Sequence, residues 1–290
     1  MKGPDVIEKE LIIPGLKNTY RILHITDAHI TMYVDEDENT IIRGGYHKGK
    51  HLVSGFAAGR VEGFAKDGIT SNERFARLCD ALRDAGAGFA DLVVFTGDLL
   101  DFYTDTAFAF MMEQIEKLPM PYFFVVGNHD WIFSNHTDAE TLDIFAKTLC
   151  GGNYKIQKYK LGELTLVGAY NAQYTYDRET FSLLEEALEG EENVLLCQHV
   201  PINCPAFEAD HIAKRPKNKI VVIGARDWAV KDDSYDRIMA ILEKEGCPVK
   251  ALLCGDSHMN HTGPLTDRIT QFVSPILRDY APVLFTVKGN

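Results

Sequence analysis

The chain has 290 residues, 46% of them apolar, which suits one large α/β domain and lies outside the composition of disordered or fibrous proteins. Its 30 basic and 42 acidic side chains leave a formal charge of −12, which repels nucleic-acid backbone and anionic membrane at long range and counts against non-specific binding to either. No apolar run approaches the roughly 18 residues of a membrane helix, the N-terminus shows no signal-peptide pattern, and the six cysteines form no disulfide framework, so reduced thiols and a cytoplasmic location are expected.

In chain order, short β-branched or aromatic runs bounded by Gly, Pro, Asn or Asp predict strands at Ile7–Ile13 and Tyr20–Thr26. A stretch rich in Gly, His and Lys follows, 33–70, with no periodicity. Phe75, Leu78, Cys79 and Leu82 then recur at helical spacing, predicting a helix over Ser71–Ala85 capped by Ser71 and stopped by Gly86. Next come a strand at Leu92–Thr96, a helix at Asp105–Leu118, a strand at Tyr122–Val126 and a helix at Ala139–Leu149. Strands Tyr154–Leu161 and Glu163–Ala169 read as a hairpin around Gly162. A helix at Asp177–Glu189 and a strand at Asn193–Gln198 lead into a second long loop, 200–228, mixing Pro, His, Lys and Arg. A helix at Ser234–Glu245 and strands at Lys250–Cys254, Ile269–Val273 and Val283–Lys288 complete the chain. Interleaved strands and helices indicate a layered α/β domain spanning 1–290, with the two long loops as a candidate substrate cap.

Five of these strands run into polar clusters. Asp27 and His29 stand two apart on extended chain, so their side chains point the same way. Gly97 allows a sharp turn that aims Asp98 off its strand. Gly127 precedes Asn128, His129 and Asp130; His199 follows Gln198; Gly255 precedes Asp256 and His258. Each cluster alone is an ordinary turn. In this order, D-x-H, G-D, G-N-H-D, H and G-x-x-H, they resemble the calcineurin-like metallophosphoesterase superfamily, and the resemblance spans Asp27 to His258.

The resemblance implies a four-layer αββα sandwich of two mixed β-sheets flanked by helices. It implies two divalent metal ions (Mn, Mg, Fe or Zn) and attack by a bridging hydroxide held in line with phosphorus. One ion would take Asp27, His29, Asp98 and His258; the other would take Asp98, Asn128, His199 and Asp256. The family's last motif carries His where this chain has Asp256, with His261 a less well-spaced substitute. A carboxylate there removes positive charge from the site and favours harder ions, Mn²⁺ above all. His129 is the implied group that bonds phosphate or protonates the leaving alkoxide, oriented by Asp101 or Asp130. The tyrosinate-iron site of purple acid phosphatases would need a Tyr where Asp101 stands; Tyr103 is displaced by two.

The expected substrate is a small phosphodiester or phosphomonoester, and the run Gly97–Asp101 looks most like the cyclic-nucleotide phosphodiesterase branch. Arg43, His47, Lys48, Lys50 and His51 in the first loop, and His211, Lys214, Arg215 and Lys217 in the second, are candidate phosphate contacts. Tyr33, Tyr46, Phe56 and Trp228 are candidate stacking rings. Two alternatives remain at this stage: a polynucleotide nuclease, against which the absence of a basic stripe counts, and a non-catalytic interaction protein that keeps the fold. The sequence carries no sign of oligomeric state.

Overall fold

The computed structural model describes residues 4–34, 55–134, 136–228, 230–279 and 281–290, with the backbone of 46–47 and 50–51. In chain order, β1 (Ile7–Ile12) and β2 (Tyr20–Ile25) precede a small hairpin of β3 (Tyr46–His47) and β4 (Lys50–His51). Then come α1 (Phe56–Phe64), α2 (Ser71–Ala85), β5 (Leu92–Phe95), α3 (Asp105–Ile115), β6 (Tyr122–Phe124) and α4 (Asp138–Thr148). The second half holds β7 (Ile156–Leu161), β8 (Leu164–Ala169), α5 (Arg178–Leu188), β9 (Val194–Cys197), α6 (Pro205–Lys214) and α7 (Ser234–Glu243). The strands β10 (Val249–Cys254), β11 (His261–Pro264), β12 (Thr270–Val273) and β13 (Val283–Lys288) end the chain.

The strands form two mixed sheets, in the orders β1-β13-β2-β5-β6 and β11-β12-β10-β9-β8-β7. Side chains alternate across each strand, and the alternation sorts the core into three layers. Ile22, Val94, Leu166, Leu195 and Leu253 fill the space between the sheets. Their neighbours Leu23, Val93 and Phe95 turn outward to meet Phe75 and Leu82 of α2, Met111 of α3 and Phe145 of α4. On the other side Val167, Leu196 and Leu252 meet Leu184 of α5, Phe207 of α6 and Ile238 of α7. Helices outside two face-packed sheets give the expected four-layer αββα sandwich. Among the described residues, no helix is long and apolar enough to cross a membrane.

The predicted strands hold, most of them trimmed at their ends, while β10 begins one residue earlier and β13 keeps its bounds; β2 stops at Ile25 because the residues after it leave the ladder to build the site. Five elements lie where loops were expected: α1, β3 and β4 of the small hairpin, α6 and β11. α1 contains Gly59 and Gly63 and lacks a side-chain cap, so propensity does not announce it. α6 does carry a start signal, Pro205 in its first turn. The helix expected to reach Leu118 closes at Ile115, where Lys117 and Leu118 N–H groups bond three residues back ahead of Pro119.

Candidate metal centre

β2, β5 and β6 run parallel within one sheet, as do β9 and β10 within the other. The polar clusters that follow these strands therefore meet at one end of the sandwich, at the carboxyl ends of strands from both sheets. Backbone bonds join the loops: Asp27 N–H to Gly97 O (3.1 Å), His29 N–H to Asp98 O (3.0 Å) and Gly255 N–H to His199 O (2.9 Å). Asp27, His29, Asp98, Asp256 and His258 all hold positive φ, between 47° and 60°. Such left-handed conformations cost on the order of 1–3 kcal/mol each for residues other than Gly and cluster at functional sites. The loops also touch too closely for side chains at the glycines. A Cβ on Gly127 would lie 2.3 Å from the Asp98 N and Oδ1 atoms, and one on Gly255 would lie 2.0 Å from Thr26 Oγ1.

The side chains converge on Asp98. Its Oδ2 lies 3.2 Å from His199 Nε2 and 3.9 Å from His29 Nε2. His258 Nε2 stands 3.1 Å from Asp27 Oδ1 and 3.0 Å from His29 Nε2. His199 Nε2 is also 3.1 Å from Asn128 Oδ1 and 3.8 Å from Asp256 Oδ1. The opposite ring nitrogens decide what these atoms are. His199 Nδ1 faces the Thr96 carbonyl (2.6 Å) and His29 Nδ1 faces Asp101 Oδ1 (2.9 Å), so both Nδ1 atoms are donors. In the neutral rings each Nε2 then presents a lone pair to oxygens that also only accept. Asp27 Oδ1 is buried with no hydrogen-bond donor. Lone pairs facing lone pairs in a buried site require cations between them, either protons or metal ions. The same demand shows in the electrostatics of His29. Burial opposes charge on His29, yet its bonds to Asp101 and Asp27 raise its pKa to about 9. The donor atoms of Asp27, His29 and His258, and those of Asp27, Asp98 and His199, lie within 4.8 Å of one another, which fits two metal positions sharing this carboxylate-rich centre.

Asp101 does not join the open donors. Its carboxylate is taken by His29 Nδ1 and by Arg60, whose Nε and Nη2 both lie at 2.5 Å. Burial would raise the Asp101 pKa, but Arg60 and His29 hold it well below the usual carboxylate range. Phe64, one turn on from Arg60, stacks on the His29 ring at 4.2 Å, so α1 clamps His29 from two directions. Arg60→Ala is expected to weaken divalent-metal affinity by about 10–100-fold, the usual effect of losing a group that orients a ligand. Calorimetric titration with Mn²⁺ checks this; unchanged affinity would show that Asp101 holds His29 unaided.

His129 is placed by three contacts. Its backbone N–H donates to Asp98 Oδ1 (2.8 Å), its Nδ1 donates to the Asp101 carbonyl (2.8 Å), and the Asp101 carboxylate lies 3.4 Å away. Asp101 thus meets His129 mainly through its backbone. Asp130, the other expected orienting acid, turns elsewhere: its carboxylate accepts from the N–H groups of Asp98 (3.0 Å), Leu100 (2.9 Å) and Gly127 (2.7 Å). It braces the loops that present Asp98 and Asn128. Tyr103 is buried in the helix-side core, with its hydroxyl 3.4 Å from Asp105.

The model of the calcineurin-like phosphoesterase family matches residues 20–260, the span that holds all five clusters. The chain belongs to this family. It is a metal-dependent phosphoester hydrolase, and the family implies two divalent ions. Among solved structures, a dimetal phosphatase from Danio rerio is similar over 89% of this chain and 88% of that one, at 12% identity and a TM-score of 0.55. A putative 5'-nucleotidase from Staphylococcus aureus is similar over 90% of this chain but 49% of that one, at 10% identity and a TM-score of 0.46. The phosphopantetheinyl hydrolase of Mycobacterium tuberculosis is similar over 89% and 90% of the two chains, at 9% identity and a TM-score of 0.44. At such identities the likeness to the Danio rerio protein concerns the fold. No curated protein sequence matches the chain.

At the position where the phosphoesterase departs from the family motif, Asp256 keeps its place on the rim of the donors. Its Oδ1 accepts from the Tyr174 hydroxyl (2.7 Å), and its backbone N–H donates to Asp27 Oδ2 (3.1 Å). Burial, reinforced by the Asp98 and Asp27 charges, pushes its pKa up to about 6. His261 points away, with Nδ1 on Asp210 at 2.9 Å. The second long loop brings cations to this rim: Arg215 donates to the carbonyls of Ser257 (2.7 Å) and His258, and Lys214 to the Asn260 carbonyl (2.5 Å). The side chains of Arg43, Tyr46, His47, Lys48, Lys50 and His51 lie outside the described residues. Trp228 packs under its own loop, donating Nε1–H to the Tyr174 carbonyl (2.6 Å), and Tyr33 and Phe56 pack on Phe102. Arg60, Phe64 and Tyr174 were not singled out from sequence. Each acts on a residue far away in the chain, and no local pattern marks them.

Proposed function

We propose that this phosphoesterase hydrolyses a small phosphate ester at a two-metal centre. One ion is held by Asp27, His29, Asp98 and His258, and the other by Asp98, Asn128, His199 and Asp256. The observation that carries this reading is the set of facing acceptors around Asp98 Oδ2, with Asp27 Oδ1 buried and unsatisfied. When bound, two divalent cations acidify the attacking water and neutralise the phosphoryl oxygens. Asp101, gripped by Arg60, keeps the His29 Nε2 lone pair aimed at its ion. His199 is kept in the same tautomer by Thr96. His129, its Nδ1 committed to the Asp101 carbonyl, has Nε2 left to bond the phosphoryl group or, protonated, to hand its proton to the leaving alkoxide. The Asp256 carboxylate supports a preference for hard ions, with Mn²⁺ first.

The reading takes 1–290 as one domain, with 33–70 and 200–228 contributing to the substrate cleft. The unpaired cysteines support a reducing, cytoplasmic setting. The acidic balance counts against a polynucleotide substrate. A cyclic nucleotide gains no support from ring placement, since Tyr33, Phe56 and Trp228 are packed among their neighbours.

The test is a panel of bis(p-nitrophenyl) phosphate, p-nitrophenyl phosphate, aliphatic phosphomonoesters, cyclic nucleotides and single-stranded oligonucleotides, assayed with Mn²⁺, Mg²⁺ and Zn²⁺. Turnover of small esters is expected, highest with Mn²⁺ and abolished by EDTA. Oligonucleotide cleavage alone would support a nuclease, and no turnover of any ester would support a non-catalytic protein on the same fold.

A further inference from the structure

We propose that the cleft beside the metal centre, between Tyr174, α6 and the 218–222 segment, is a subsite for a second anionic group of the substrate. The preferred ester would then carry a phosphate or carboxylate besides the group that is cleaved. The proposal rests on the reading of the centre given above and adds the substrate class.

The cleft adjoins the centre, because Asp256 and His258 line it and also stand against His199 and Asp27. Its remaining polar lining comes from Tyr174, His211, Arg215, Asn218, Lys219 and Ser257, and its volume is about 190 Å³. Such a space admits a group the size of a phosphate or carboxylate. In a chain of net charge −12, the cations gathered here stand out. Arg215 is spent on backbone carbonyls, which fixes its guanidinium against the cleft wall. Lys214, nearby, is spent on Asp210 at 2.8 Å. Lys219 is different: it is exposed, lines the cleft, and its ammonium has no partner among the described residues. His211 also lines the cleft, but its unpartnered Nδ1 is buried, so the ring borders the site without presenting that atom to it. The one acid on the wall, Asp256, is covered on Oδ1 by the Tyr174 hydroxyl. A free ammonium and a fixed guanidinium around a polar cleft beside the metal centre suit an anion.

The test compares ethyl phosphate, carboxyethyl phosphate and propanediol bisphosphate as substrates of the Mn²⁺-loaded full chain. The same comparison is made by calorimetry with the non-hydrolysable ethylphosphonate, carboxyethylphosphonate and propane bisphosphonate. The two-anion compounds are expected to exceed the one-anion compound by about tenfold in kcat/KM and in affinity, as one charge-assisted bond would give. The carboxylate and phosphate arms show which anion fits better. Lys219→Gln should erase most of that ratio and Lys219→Arg should keep it. Both variants should fold, since the exposed side chain makes no hydrogen bond or ion pair among the described residues, and unchanged melting temperatures check that. Equal binding of one-anion and two-anion phosphonates, or a ratio that survives Lys219→Gln, overturns the subsite. A retained binding ratio without ester turnover leaves the subsite standing and overturns the hydrolase reading instead.

Discussion

Asp98→Asn is expected to lower kcat/KM by about 10³-fold or more, close to 4 kcal/mol of lost transition-state stabilisation. The shape of the side chain survives; its charge and one acceptor do not. Asp98 Oδ1 accepts the His129 N–H at 2.8 Å, and Oδ2 lies 3.2 Å from His199 Nε2. An Asn that keeps the first bond must point its NH₂ group at the second position, placing a donor where a cation belongs. Because Asp98 is shared between the two proposed ion positions, one substitution weakens both. A measured loss below about tenfold would mean that Asp98 is not the shared ligand, since even groups that only orient a ligand reach that size.

His129→Ala is expected to lower kcat by about 10²–10⁴-fold, the range for removing a general acid, while bound metal stays unchanged. The separation follows from geometry. The His129 ring is fixed through Nδ1 on the Asp101 carbonyl, and its link to Asp98 is made by the backbone N–H, which Ala retains. The ligand donors therefore keep their places. The loss should be smaller for p-nitrophenyl esters than for alkyl esters, because a nitrophenolate leaves without a proton. Steady-state kinetics on both ester classes, with metal analysis of the variant, checks both parts. Equal losses for the two leaving groups would assign His129 to phosphoryl binding rather than to proton transfer.

Much of the centre was legible because each piece is local. A buried strand followed by one or two ligand-type side chains marks each loop, with a Gly between them at Gly97, Gly127 and Gly255, and the topology then gathers the loops at one end of the sandwich. Asp27, His29, Asp98, Asn128, His199, Asp256 and His258 lie together around Asp98 and Asp27. The parts that were hidden depend on distance along the chain. Arg60 reaches Asp101 across 41 residues from a helix with two glycines and no cap. Tyr174 reaches Asp256 across 82 residues from a loop. Asp130 was ambiguous for another reason: an acid beside His129 suits either a proton relay or a cradle of backbone amides, and only the fold puts its oxygens on the N–H groups of Asp98, Leu100 and Gly127. The loop 200–228 read as irregular because its helix, α6, is short and begins at a Pro, a residue that signals turns as readily as helix starts.

The most direct measurement is metal stoichiometry. The chain is saturated with Mn²⁺, freed of unbound ion and analysed by inductively coupled plasma mass spectrometry, side by side with Asp98→Asn. Two ions per chain are expected in the native protein, as the family implies, and a clear deficit in the variant. Trace manganese in the native protein, or the same content in both, would contradict a centre built around Asp98.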